Sequence, residues 1–133
     1  MGRILGIDYG EKRVGLAVTD DLQIIASPLD VYFNDNALLR KLSALCKKYG
    51  VEKIILGLPL SESTDTAENK VRGFAKKLQA ETGLPVDFID ETASSIHASE
   101  IMKMTGYKKK DFKKNINKYA AQKILSDYIE TRK

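Results

Sequence analysis

Arg3-Ile4-Leu5-Gly6-Ile7-Asp8-Tyr9-Gly10-Glu11-Lys12-Arg13-Val14-Gly15-Leu16-Ala17-Val18-Thr19 is the stretch that decides the fold. Its first half is apolar up to Asp8, the pattern of a buried strand ending on a carboxylate. Tyr9 to Arg13 is polar and reads as a turn, and Val14 to Thr19 is a second strand, so the two form a hairpin. Asp8 then lies at the carboxyl end of a central strand, where a carboxylate either binds metal or caps a turn. Gly10 and Gly15 let the backbone turn tightly or approach another group. Lys12 and Arg13 are placed to hold phosphate, the arginine in a bidentate manner. In isolation an Asp-x-Gly turn is more often structural.

Outward from the hairpin, Leu22 to Ala26 is expected to return as a third strand, with Ser27-Pro28 as punctuation. Asn36 to Tyr49 has helical periodicity, with Leu38, Leu39, Leu42, Leu45 and Cys46 on one side, and Gly50 is placed to stop it. Lys53 to Leu58 reads as a central strand. Ser61 to Asp65 is a polar loop whose Thr64 or Asp65 can cap a helix running to about Thr82, with Val71, Phe74, Ala75 and Leu78 inward. Val86 to Ile89 is a further strand, and Thr92 is the N-cap of a helix through Met104. Gly106 to Lys114 reads as a basic connection. Asn115 to Thr131 is a closing helix with Ile116, Ala120, Ile124 and Tyr128 in one stripe. A hairpin meander followed by alternating helix and strand predicts an α/β protein. Its mixed central sheet begins with the antiparallel meander and carries helices on both faces. Without repeat, linker or low-complexity segment, the 133 residues are expected to form one domain, 1–133.

The net charge of +4 is unevenly distributed. Lys103 to Lys133 holds ten Lys/Arg against three Asp/Glu, while the first 102 residues carry a net −3. A carboxylate-bearing body with a basic end suits a polyanion held near a metal site, although a basic helix face is also an ordinary solvated surface. The single cysteine, Cys46, excludes an internal disulfide and sits in an apolar-periodic stretch, as a buried inert thiol would. No stretch has the length of a transmembrane helix and the N-terminus lacks a signal-peptide layout, so a cytoplasmic protein is expected. His97, the lone histidine, reads as structural, and no Ser-His-Asp pattern is present.

Two further places put polar groups at the end of a buried element. Asp90-Glu91 follows the strand that starts at Val86. Adjacent residues of an extended segment face opposite ways, so one of this pair is expected to share a site with Asp8. Two carboxylates held close repel and favour a divalent cation such as Mg²⁺ or Mn²⁺; the plainer role is to start the next helix, whose dipole favours them. Asn117 lies in the first turn of the expected last helix, where Ala120 and Ala121 allow close packing on the sheet. Gly57-Leu58-Pro59-Leu60 leads to a helix start whose amides can meet a phosphate, though in isolation such a motif is more often a plain turn.

In this order the pieces resemble the YqgF/RuvX family of Holliday junction resolvases and pre-16S rRNA nucleases. The resemblance spans nearly the whole chain: Ile4 to Gly10 with Lys12-Arg13-Val14-Gly15, Ala26 to Leu29, Ile54 to Leu60, Val86 to Glu91, Lys114 to Asn117 and Ala120 to Leu125. It implies an RNase H-like fold and metal-dependent phosphodiester hydrolysis, with Mg²⁺ or Mn²⁺ activating water and stabilising the leaving oxygen. Asp8, Glu91 and Asn117 take the catalytic positions, and Asp8, Asp90 and Glu91 are the candidate metal ligands, Glu91 favoured over Asp90. Lys12, Arg13, Lys108, Lys109, Lys110, Lys113 and Lys114 would hold the nucleic acid. The implied partner is structured RNA such as pre-rRNA, or branched DNA, with no membrane role and a monomer or homodimer as the active form. The chain departs from its relatives in carrying Asn117 where they carry Asp, Thr92 where they tend to have Arg, and no glycine in the loop after Pro59. A neutral Asn lacks the charge that draws a cation, so a nucleic-acid-binding protein with impaired catalysis is the alternative. A phosphotransferase of the actin and sugar-kinase type shares the opening hairpin but needs two such lobes, and this chain has length for one.

Overall fold

The computed structural model describes residues 2–58, 65–90 and 109–132. In chain order it gives β1 (Arg3–Asp8), β2 (Arg13–Thr19), β3 (Ala26–Phe33), α1 (Leu38–Tyr49), β4 (Val51–Leu58), α2 (Asp65–Thr82), β5 (Val86–Asp90) and α3 (Lys109–Thr131). The five strands form one mixed sheet in the order β3-β2-β1-β4-β5. The meander β1-β2-β3 is antiparallel, and β4 and β5 add in parallel to β1. Each parallel step needs a crossover, supplied by α1 before β4 and α2 before β5.

Side-chain alternation divides the sheet into two faces. On one, Leu5, Ile7, Leu16, Ile54 and Leu56 pack against Leu38, Leu42 and Leu45 of α1 and Val71, Phe74 and Leu78 of α2. On the other, Ile4, Ala17 and Ile55 pack against Ala121, Ile124, Leu125 and Ile129 of α3. Helices therefore cover both faces, as the hairpin-then-alternation pattern predicts. Gly50 ends α1 in the left-handed region at φ 63°, the conformation that glycine adopts without penalty. Cys46 is buried in the α1 face, and burial pushes its thiol up to about 11, the behaviour of an inert thiol.

Two elements differ from the sequence expectation by more than two residues. The third strand is Ala26–Phe33 rather than Leu22 to Ala26, and it runs through Pro28. Proline is tolerated because β3 is an edge strand and its pairing with β2 slips beside that residue, Leu16 facing Asp30 while Ala17 faces Pro28. The last helix starts at Lys109, six residues before Asn115, so the supposed basic connection is helical from Lys109 onward. Of the expected stripe, Ala120 and Ile124 are buried while Ile116 and Tyr128 are half-buried, and among the described side chains Tyr119, Ala121, Leu125 and Ile129 complete the buried face. The expected helix from Thr92 to Met104, the Pro59–Thr64 loop, His97, Glu91 and Lys108 lie outside the described residues.

Candidate nuclease site

Asp8 is the last residue of β1, and the register fixes what surrounds it. Asp8 pairs with Gly15 on β2. Along β4 the pairing Ile7 to Leu56 continues to bring Gly57 level with Asp8, and Gly57 pairs with Ile89 on β5. Ile4 and Gly6 on β1 face α3, because Ile4 belongs to the α3-side cluster and a Cβ on Gly6 would lie 2.9 Å from the Leu125 Cβ. By alternation Asp8 faces the same way, at the carboxyl end of the parallel strands, where open α/β sheets place their sites.

The glycine opposite Asp8 brings the last helix in. A Cβ on Gly15 would lie 1.8 Å from the Asn117 carbonyl oxygen and 2.8 Å from the Lys118 nitrogen, so the backbone of α3 rests directly on β2 there. Only glycine permits that approach. Asn117, half-buried, is thus held beside the residue paired with Asp8. The two sequence candidates meet across one glycine.

Asp90 and Asp8 lie on opposite faces. Ile89 belongs to the α3 side, whereas Phe88 packs with the α1–α2 core, and Asp90, exposed, continues the Phe88 side. Of the pair Asp90-Glu91, Asp90 therefore does not share the Asp8 face, and Glu91 lies outside the described residues. Asp8 and Ile89 are two strands apart, roughly 10 Å, with Gly57 between them.

Electrostatics at Asp8 fit a cation. The residue keeps a narrow opening to solvent, yet the protein packed around it desolvates the carboxyl and pushes it up to about 6 from 3.8. A bound cation restores the ionised form. Carboxylate and amide oxygens are the hard donors that Mg²⁺ and Mn²⁺ prefer. Among the described residues no group of three His, Cys, Asp or Glu converges.

The turn after Asp8 is pinned from three sides. The Asn34 side-chain amide donates to the Gly10 carbonyl at 2.8 Å, and the Asn34 backbone amide to the Lys12 carbonyl at 2.9 Å. The Tyr9 ring lies 4.5 Å from the Phe74 ring of α2, and Lys70 of α2 pairs with Glu11, lowering that carboxyl's pKa chiefly through their hydrogen bond. With Glu11 engaged, Lys12 and Arg13 stand exposed in a rigid turn. Arg13 reaches over the Phe33 ring at 5.9 Å. Lys109, Lys110, Lys113 and Lys114 lie on the first turns of α3, the helix that carries Asn117. The roles of Asn34 and Lys70 were invisible in sequence, since both contacts cross between distant elements. The glycine at position 15, inside a strand pattern, was the one available signal of a close backbone approach.

The chain is similar to known proteins along nearly its whole length. Residues 2–131 match the family model described as "RuvX: Holliday junction resolvase". The chain is 38% identical to a protein of Dictyoglomus thermophilum over 97% of this chain and 96% of that one. It is 37% identical to one of Bacteroides fragilis over 100% and 99%. Both bear the name "Putative pre-16S rRNA nuclease". Among solved structures, Thermus thermophilus RuvC in complex with a Holliday junction superposes with a TM-score of 0.65 at 16% identity, over 98% of this chain and 95% of that one. A fowlpox virus resolvase bound to junction DNA superposes at 0.59 and 17% identity, over 98% of each chain. At these identities the structural likeness establishes the fold, which is RNase H-like.

Proposed function

The chain belongs to the RuvX family, and from that premise we propose that it is a divalent-metal-dependent endonuclease acting on phosphodiesters in structured nucleic acid. Pre-16S rRNA is the proposed substrate, in keeping with the names of its relatives at 37–38% identity. The observation that supports this reading is the packing of the α3 backbone at Asn117 on Gly15, the residue paired with a desolvated Asp8 at the carboxyl end of the sheet. Residues 1–133 act as one nuclease domain in the cytoplasm; no helix among the described residues is long and apolar enough to cross a membrane.

Asp8, Glu91 and the amide oxygen of Asn117 would hold Mg²⁺ or Mn²⁺, Glu91 in preference to Asp90. When bound, the metal polarises the phosphodiester and supplies a nucleophilic water. The residues of the chain do the rest. The Asp8 carboxylate anchors the charge at the strand end, and the crowded walls keep it from bulk water. Lys12 and Arg13 hold the strand by its phosphates in a turn that Asn34, Phe74 and Lys70 keep from moving. Lys108, Lys109, Lys110, Lys113 and Lys114 would add to that grip.

A second reading rests on Asn117 itself. A neutral amide in place of the third carboxylate weakens the pull on a cation, so the chain would bind structured nucleic acid and cut slowly or not at all. Cleavage of a pre-16S rRNA fragment and of a four-way DNA junction, side by side in Mg²⁺ and in Mn²⁺, tests both. Cutting of the RNA alone supports the proposal, and cutting of the junction alone replaces its substrate. Cutting of neither by the native chain, with cutting by Asn117→Asp, establishes the second reading.

A further inference from the structure

The outer surface of α1 carries Arg40, Lys41, Lys47 and Lys48, all exposed, and no acidic residue. Residues 40 and 47, like 41 and 48, are seven apart and share one side of the helix, so the cations form two pairs about 10 Å apart along the axis. No ion pair joins any of the four to a carboxylate among the described residues. Lys47 and Lys48 in the last turn complement the helix dipole, but Arg40 and Lys41 in the first turn oppose it. Asp35, whose carboxylate accepts the Ala37 amide at 2.9 Å, is the acid placed at that end. Helix stability therefore accounts for one pair and not the other. Tyrosine rings steady two of the ammonium groups, Tyr32 beneath Lys41 at 5.9 Å and Tyr49 beneath Lys48 at 5.7 Å.

Topology joins this surface to the candidate site. β3 runs parallel to β1, so Phe33 ends at the same edge of the sheet as Asp8, and Phe33 pairs with Arg13. The chain then bonds Lys12 through Asn34 and enters α1 four residues later. The pairs Lys12–Arg13, Arg40–Lys41 and Lys47–Lys48 thus follow one another from the Asp8 edge along the far side of the sheet.

We infer that this succession is a phosphate track: the nucleic acid whose scissile bond lies at Asp8 continues over the pinned turn and along α1. The inference rests on the nuclease reading. Two pairs of cations two helical turns apart, with only Ala44 exposed between them, match a phosphate backbone rather than an apolar protein interface. Because Asp8 faces α3 and the track runs along α1 on the opposite face, a nucleic acid touching both is bent or branched.

The test is binding of the full chain to a fluorescent three-way-junction RNA in EDTA, across a potassium chloride series. The variants are the α1 set Arg40→Gln, Lys41→Gln, Lys47→Gln and Lys48→Gln together, and the turn set Lys12→Gln and Arg13→Gln together. A third set, Arg40→Lys with Lys41→Arg, Lys47→Arg and Lys48→Arg, preserves charge. The slope of log K against log salt is expected to drop by about 3 to 4 in the α1 set and by about 2 in the turn set, roughly 0.9 per lost phosphate contact. The charge-preserving set keeps the native slope, and the α1 set melts no lower than the native chain. A native slope in the α1 set while the turn set loses its share overturns the track and leaves the nuclease reading standing. Absence of salt-dependent RNA binding by the native chain overturns both. A native RNA slope in the α1 set, with lost binding to phosphatidylserine vesicles, assigns the surface to membrane and also overturns the track.

Discussion

Asp8 titrates in a window that a strand-end carboxylate in water would not. Unfolded, it ionises near 3.8; folded, it holds its proton to about 6 because burial disfavours the charge. The folded state therefore binds the extra proton between those values, and the stability it confers at low pH is lost as pH rises through about 6. Without metal, the ionised Asp8 costs about 3 kcal/mol above that window. Asp8→Asn is accordingly expected to stabilise the metal-free chain at pH 8 by an amount approaching that figure and to leave it nearly unchanged at pH 4, as urea titrations at the two pH values would read. Added Mg²⁺ should raise the melting temperature of the native chain and not of Asp8→Asn. At Asn117 the sign is opposite: Asn117→Asp adds a second carboxylate beside Asp8, so it should lower metal-free stability while tightening Mn²⁺ binding about tenfold or more, measured by calorimetry. That Asp8 was a candidate is legible in sequence, since a carboxylate ending an apolar run is unusual. Its shifted proton affinity is not, because it arises from packing contributed by elements far along the chain.

At the scale of elements, the contact between α3 and β2 sets the site's dimensions. Gly15→Ala places a methyl group where the Asn117 carbonyl stands, so α3 must lift or β2 must bend. The expected cost is about 3 kcal/mol, at the upper end for overpacking, read as a lowered urea midpoint with a parallel loss of metal binding. Gly6→Ala meets the Leu125 Cβ at 2.9 Å and the Ala121 carbonyl oxygen at 3.2 Å, both fixed to the α3 backbone, and should cost less than Gly15→Ala because the overlap is smaller. The hairpin, α1, β4, α2 and β5 are legible to within two residues because their apolar periods are clean, and glycine or proline follows α1, β4 and α2. The third strand is not. Leu22, Ile24 and Ile25 look like strand residues but are exposed in the turn, and Pro28 looks like a break but is admitted by an edge position beside a register slip. The start of α3 was missed because Lys109 to Lys114 lacks the apolar period by which a helix is recognised.

For the whole molecule, strand order and faces decide which residues can cooperate. Alternation had already limited Asp90-Glu91 to one residue on the Asp8 face; which one depends on the parallel register of β4 and β5, and no local sequence signal carries that. The basic C-terminal end was plain from composition, whereas the α1 cations were diluted in a nearly neutral body and emerge as a surface only once α1 packs on the sheet. The central claim is that phosphodiester hydrolysis occurs at Asp8. The most direct measurement is Mg²⁺- or Mn²⁺-dependent cleavage of a pre-16S rRNA fragment by the native chain and by Asp8→Asn at equal concentration. Cleavage by the native chain is expected, with a loss in Asp8→Asn greater than the 10–100-fold typical of an outer-shell partner. Cleavage by Asp8→Asn at the native rate would contradict the central claim.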